Sequence, residues 1–346
     1  MKKIKYAAAM LTLVFACNSH AAFDRICSST SYLMKAACRA ESSDDLLVAK
    51  AKCFNEEERN EARECVNEVN VEYNEARELC SEQLQARLQV CDAIGEAPYD
   101  PEFEPDLFET SLTTPVNPNP YYPLSVGNTW SYSGDEEITV TVLNESKLID
   151  DVRCFVINDV VSVDGQLVED TDDWVALSKQ NGAIWYCGEE AKDFEYFEGD
   201  SPSLPELVSI DGSFKVERDG DRAGILFPGS GAQVGDVFRQ EFSLGNAEDV
   251  GEIVNLNYGY GDNLDLEEWI PEDLTKLLCD DDCIIVSEYT PLEPGVVEYK
   301  FYAPGIGFFL GINPEEDEVV YLTSCNVNPV CNALPELAKD LDEDEN

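Results

Sequence analysis

The sequence predicts an α+β protein: a disulfide-stapled N-terminal helical hairpin followed by an antiparallel β-domain whose sheet is curved or forms a half-barrel. Three observations carry this. Residues 22–94 are charged, alanine-rich, almost free of Pro and Gly, and hold six cysteines at helical spacing. From Tyr121 the pattern changes to short β-branched and aromatic runs separated by Gly, Asp and Asn turns. The densest strand-and-turn grammar, Thr290 to Ile312 (TPLEPGVVEYKFYAPGIGFFLGI), closes that region.

In chain order, Lys2, Lys3 and Lys5 precede an apolar run, Tyr6 to Ala16, too short to span a bilayer and ordered like a secretory signal. Ser19-His20-Ala21 offers small residues for cleavage before Ala22, so residues 1–21 read as a signal peptide and the protein as periplasmic or extracellular. A lipoprotein anchored through Cys17, after Val14-Phe15-Ala16, is the minority alternative, because Phe15 is bulky for that signal. No later apolar stretch approaches transmembrane length.

Removing residues 1–21 deletes three lysines and no acid, taking the formal charge from −48 to −51. Phosphate contacts need clustered Lys and Arg, so nucleic acid and anionic membrane surfaces are excluded as partners. Acidity on this scale reads first as a solvated surface. A divalent cation is the sharper alternative, weakened by the absence of the DxDxDG spacing of a calcium loop. Cleavage also removes His20, the only histidine, which excludes Ser-His-Asp and Cys-His mechanisms and His-ligated zinc. No cofactor fingerprint is present.

In the helical segment Cys27, Cys38, Cys53, Cys65, Cys80 and Cys91 are separated by 11, 15, 12, 15 and 11 residues, a palindrome. Steps of 11 and 15 return to nearly the same helix face, so two antiparallel helices folded about residue 59 bring Cys27 to Cys91, Cys38 to Cys80 and Cys53 to Cys65. Two alternatives compete. Asn55 before Glu56-Glu57-Glu58 is a good helix start that moves the turn upstream, and Ser42-Ser43-Asp44-Asp45 could cap a third helix. A metal site is disfavoured, since no CxxC pair occurs and exported thiols oxidise. These six cysteines are expected to pair only among themselves, in a unit separable from the sheet.

Gly95 to Pro123 contains seven prolines, and residues 95–119 read as an acidic linker whose Phe103 and Phe108 can dock on a neighbour. The β-domain, 120–333, opens with strands at Asn128 to Tyr132, Ile138 to Leu143, Val152 to Val163, Leu167 to Leu177 and Ala183 to Cys187, with turns at Asp164-Gly165 and Asn181-Gly182. Residues 212–228 read as loop, and Val237 to Ser243 with Val250 to Asn257 as a hairpin. An insert, 258–282, carries Trp269 and a short helix, Pro271 to Leu278, then Cys279-Asp280-Asp281-Asp282-Cys283, read as a turn pinned by a local disulfide, or as two cysteines bonded elsewhere, rather than a cation site. In Val296 to Ala303, Val297, Tyr299 and Phe301 share one face and Glu298, Lys300 and Tyr302 the other, so one side packs and the other meets water or a polar neighbour. Val319 to Ser324 supplies a last strand, Cys325 and Cys331 close a small loop, and 334–346 is an acidic disordered tail. Cys154 and Cys187 flank one strand on opposite sides. Two ladder spacings are about 9.6 Å, beyond the ~7 Å limit for a disulfide, so unless the sheet is bulged each needs another partner among Cys279, Cys283, Cys325 and Cys331.

Three motifs in order, YYPLSVGNTWSY (Tyr121 to Tyr132), GDVFRQEFSLGNAEDVGEIV (Gly235 to Val254) and EPGVVEYKFYAPGIG, resemble an uncharacterised family of secreted bacterial proteins. In that family PLxVGNTW and EYKYYAPGVG-type motifs bracket one β-rich domain. The resemblance implies a fold and a location over about residues 119–312, and no activity.

Function is therefore expected to be non-catalytic: an exported binding or cell-surface interaction protein with an unknown protein or apolar ligand as partner. The alternatives are a carrier of an apolar ligand in a curved sheet and a carboxylate-type glycosidase using pairs such as Asp172/Asp173 or Glu189/Glu190. Trp130, Trp174 and Trp185 are candidates for an aromatic ligand wall, with core packing the commoner role.

Overall fold

A computed structural model describes residues 25–262 and 265–336; the signal segment with Cys17, and the tail from 337, lie outside the described residues. Two helices come first, α1 (Ile26–Cys53) and α2 (Arg59–Ile94). They pack antiparallel, and the palindromic pairing is observed: Cys27–Cys91, Cys38–Cys80 and Cys53–Cys65. The competing break at Ser42 does not form. Ser42 and Ser43 donate back to the carbonyls of Cys38 and Arg39, at 2.8 and 2.7 Å, so their hydroxyls are used inside a continuous helix. Nor does α2 start at Asn55; residues 54–58 make the turn and Glu58 is its N-cap. The N-terminus of α1 is capped from the far end of the hairpin. Glu96 accepts from Ser28 N (2.9 Å) and the Ser28 hydroxyl, and these bonds hold its carboxyl below its ordinary pKa.

Fourteen strands make one antiparallel sheet: β1 (Thr129–Gly134), β2 (Glu137–Ile149), β3 (Val152–Val163), β4 (Gln166–Leu177), β5 (Ile184–Glu190), β6 (Asp193–Glu195), β7 (Glu206–Ser209), β8 (Gly224–Phe227), β9 (Val237–Arg239), β10 (Val250–Tyr258), β11 (Cys283–Tyr289), β12 (Glu298–Ala303), β13 (Gly307–Asn313) and β14 (Glu318–Cys325). Neighbours follow β4-β3-β2-β1-β14-β13-β12-β11-β10-β9, so the first strand pairs with the last, with Trp130 opposite Cys325. From the other edge of β4 the ladder continues through β5 to β8. β8 then meets β9. Arg222 N donates to Phe242 O (3.0 Å) and Gln240 Nε2 to Leu226 O (3.2 Å), closing the sheet on itself without a regular ladder at this seam. Gly224 permits the approach, since a Cβ there would lie 1.8 Å from Gln240 O. β8 falls in the stretch read as loop; four residues ending at a proline carry too little pattern to announce a strand.

One correction concerns Cys154 and Cys187, which pair with each other at a Cα separation of 6.5 Å. Trp174 pairs with Gly188 but Val175 with Tyr186, so Cys187 is the extra residue of a β-bulge, and the β3–β4 ladder ends at Phe155–Val175, leaving Cys154 beyond it. The flat-ladder separation therefore does not apply. Cys279–Cys283 and Cys325–Cys331 close locally.

Both surfaces of the closed sheet are covered. Inward residues such as Trp130, Val142, Ile157, Val175 and Tyr186 form the main core, while Cys154, Val156, Trp174, Ala176 and Cys187 face outward. That outer face is roofed by the proline-rich segment: Phe103 and Phe108 are buried there, and Glu109 N donates to Leu177 O (2.9 Å). On the opposite wall the insert, with α3 (Glu272–Leu278) and Tyr258 against Phe301 at 5.3 Å, covers the outward side of β11 and β12.

The hairpin is not physically separate from the sheet. Arg87 and Glu248, 4% and 1% exposed, form a bidentate pair at 2.7 and 2.8 Å. Arg239 of β9 lies over the rings of Tyr99 and Phe242, at 5.7 and 5.0 Å. Tyr99 donates to Ala223 O beside β8 (3.0 Å), and Asp100 pairs with Arg222 (3.2 Å). The cysteines are satisfied within each half as expected, but separability is not what these contacts describe.

Candidate functional site

The closed sheet is not filled. Between β1–β4 and β11–β14 lies a cavity of about 640 Å³, within the range of small-molecule sites. Strand alternation builds it: Trp130 and Tyr132 of β1, Ile138, Val140 and Val142 of β2, Ile157 and Asp159 of β3, and Glu298, Lys300 and Tyr302 of β12 all project inward at every second residue. The polar face of β12 thus meets the cavity, while Phe301 on its other face is fully buried under the insert.

Part of the cavity lining is aromatic. Phe308 lies 5.1 Å from Tyr132 and 5.8 Å from Tyr302, and Tyr302 packs on Phe227 at 4.5 Å. Trp130 donates Nε1 to Ile306 O at 2.7 Å, across the kink between β12 and β13. That kink is set by a bulge at Phe301/Tyr302 and by Gly305 and Gly307 at positive φ.

Acidic residues interleave with these rings, Lys300 and Tyr302 sharing one face of β12. Lys300, the only Lys, Arg or His among the lining residues, is held by Glu288 (2.7 Å) and Glu298 (3.2 Å), and Gln240 donates to the second oxygen of Glu288 (2.8 Å). Burial alone would lower the pKa of Lys300, but the two carboxylates reverse this and keep it well above its ordinary value. Asp159 has no such partner. Its Oδ1 is buried without a hydrogen bond, and burial together with Asp173 and Glu169 pushes its pKa up to about 8. Asp173 is raised to about 6 by burial, against the opposing hydrogen bond from Tyr186. Asn313, 9% exposed, donates Nδ2 to Glu316 (2.8 Å) but leaves Oδ1 unpaired.

Behind Asp173 the acid cluster continues. Tyr186 Oη lies within hydrogen-bonding reach of Asp173 and 2.9 Å from Glu189 Oε2. A phenol has one proton to give, so one of these contacts requires a carboxyl proton. Burial and Asp173 raise Glu189 to about 8, which favours its protonated form at this contact. Glu241 is held well above its ordinary range by burial and by Asp249, itself raised to about 6 by burial and Glu288.

Of the residues singled out from sequence, the three tryptophans are not brought together. Trp130 lines the cavity; Trp174 faces outward beneath Lys147, whose Nζ is 3.3 Å from the ring centre, and Trp185 packs on Phe103 and Phe108. The carboxylate pairs are regrouped: neighbours 172/173 and 189/190 point to opposite faces, and the register sets Asp173 opposite Glu189. Asp280 to Asp282 stay in a local turn, Asp280 N donating to Asp282 at 3.0 Å. Among the described residues no group of three or more His, Cys, Asp or Glu side chains is arranged to hold a metal ion. Asp159 was not legible as a site residue, although an acid between Ile157 and Val161 on an otherwise apolar face is a signal in the strand pattern. No family model, curated protein or solved structure matches the chain.

Proposed function

We propose that the protein is an exported, non-catalytic binding protein that holds a small ligand in the cavity of its closed sheet. The observation that carries this reading is the cavity itself: a sheet whose outer surface is roofed in two places by other parts of the chain, yet whose interior keeps about 640 Å³ open, lined by aromatic and carboxylate side chains. Six disulfides support a location outside the reducing cytoplasm. Carboxylates engaged with Tyr186 and with Lys300 serve binding better than turnover, because they are already committed to partners.

Native mass spectrometry of the disulfide-intact protein, with a thermal-shift screen of small molecules of varied charge, tests this. Retained or stabilising ligands whose binding is lost on filling the cavity with Gly311→Phe support it. A protein that binds none of them, alongside an unaltered thermal profile for Gly311→Phe, overturns it. A second reading, a carboxylate-type glycosidase, is favoured by one observation: Asp159 and Asp173 line the same cavity, and burial raises them unequally, as in an acid/base pair. Hydrolysis of aryl glycosides that is abolished in both Asp159→Asn and Asp173→Asn would establish it against the first.

A further inference from the structure

We infer that the ligand of this cavity is an amphipathic organic cation, an apolar body carrying a protonated amine or quaternary ammonium head. The inference rests on the cavity-binding reading above and assigns the ligand class. Three independent features of the wall converge on it.

The first is charge. Glu136, Glu169, Asp173 and Glu318 line the cavity, Asp159 joins them where it ionises, and the one cation among the lining residues is already taken by Glu288 and Glu298. A carboxylate or phosphate ligand would enter a field of its own sign with no free partner. The second is hydrogen-bonding valence. Both buried unpaired atoms on this wall, Asp159 Oδ1 and Asn313 Oδ1, are acceptors. An entirely apolar ligand would leave them desolvated and unpaired, whereas N–H donors satisfy them. The third is the aromatic part of the same lining. Trp130, Tyr132, Tyr302 and Phe308 offer ring faces and edges that suit an apolar body and attract a cation.

Protonation follows from the same geometry. Asp159 faces Asp173, Glu169 and Glu136, which favour its neutral form, and Lys300, which opposes them. A bound cation adds a second positive charge beside it and favours ionisation. Binding therefore releases protons near neutrality and tightens as pH rises through the range of Asp173 and Asp159.

The test compares decylammonium, decyltrimethylammonium, decanol and decanoate by isothermal titration calorimetry with the disulfide-intact protein, below micellar concentrations. It is run at about pH 6 and pH 8 in buffers of different ionisation enthalpy. We expect the cations to bind at least about tenfold more tightly than decanol, decanoate to bind weakest, and proton release to accompany the cations. Asp159→Asn, which keeps the side-chain shape, should reduce the cation preference while leaving decanol affinity in place. Decanol or decanoate binding as tightly as the cations overturns the ligand class but leaves the cavity reading standing. If no probe binds, both fall. The wild-type comparison across probes and pH decides the matter even if the variant fails to fold.

Discussion

Replacing Asp159 by asparagine should stabilise the protein, and by an amount that grows with pH. The argument starts from a carboxyl at about 8 in the folded chain and near its ordinary value of 3.8 when unfolded. The folded state then binds a proton that the unfolded state has released throughout the interval between those values. Stability falls as pH rises across it, and levels off above about 8. The difference between 3.8 and about 8 corresponds to about 6 kcal/mol at most. Asp159 is only partly buried, so solvent screening discounts this to about 2–4 kcal/mol. Asparagine reproduces the neutral acid and cannot ionise. The variant should match the parent near pH 4 and exceed it by that amount above pH 8. Urea unfolding followed by circular dichroism, with disulfides intact, at about pH 4.5, 6.5 and 8.5 reads the difference directly. Contributions of Glu189, Glu241 and Asp249 are common to both proteins and largely cancel. A variant less stable than the parent at the highest pH, or an offset that does not change with pH, would refute the reasoning: Asp159 would then be ionised and partnered in the folded protein.

The remaining predictions concern packing. Arg87→Ala leaves Glu248 buried without its partner and should cost about 3–5 kcal/mol, with Arg87→Ala/Glu248→Ala costing less than the two single losses together; a strictly additive double-mutant cycle would show the pair to be independent. Trp130→Ala should cost about 3–5 kcal/mol, since it removes a core ring and the bond to Ile306 O; an unchanged stability in urea would show that the ring does not anchor the core, whatever it adds to the cavity wall. Gly224→Ala places a methyl against the Gln240 carbonyl and should open the seam at a cost of about 1–3 kcal/mol, seen as faster amide exchange in β8 and β9; unchanged exchange would mean that the strands part without consequence.

The parts of this fold legible in the sequence were those governed by local periodicity. Palindromic cysteine spacing specified a helical hairpin because helix geometry converts spacing into facing. The alternation in β12 separated Lys300 from Phe301 because strand geometry does the same at period two. What remained hidden depends on contacts that periodicity does not encode. The bulge at Cys187 adds one residue to β5 and turns an impossible disulfide into an ordinary one. The acids of the cavity had little contrast: in a chain with 71 Asp and Glu the one signal at Asp159, an acid between Ile157 and Val161 on an apolar face, gains weight only from its burial.

The seam between β8 and β9 joins these two lessons, and it explains why the helical module stays on the sheet. A closed sheet needs every strand edge paired or covered, and here the regular ladder stops at β8 on one side and β9 on the other. The N-terminal half grips both sides. Arg87 reaches Glu248 just beyond β9, and Tyr99 lies under Arg239 of β9 while donating to Ala223 beside β8. Asp100 adds an ion pair to Arg222 at the one backbone bridge across the gap. Helices with so many charges bury little apolar surface of their own, so three disulfides hold their shape while buried polar contacts fix their position. The hairpin therefore acts as a clasp on the weakest line of the sheet.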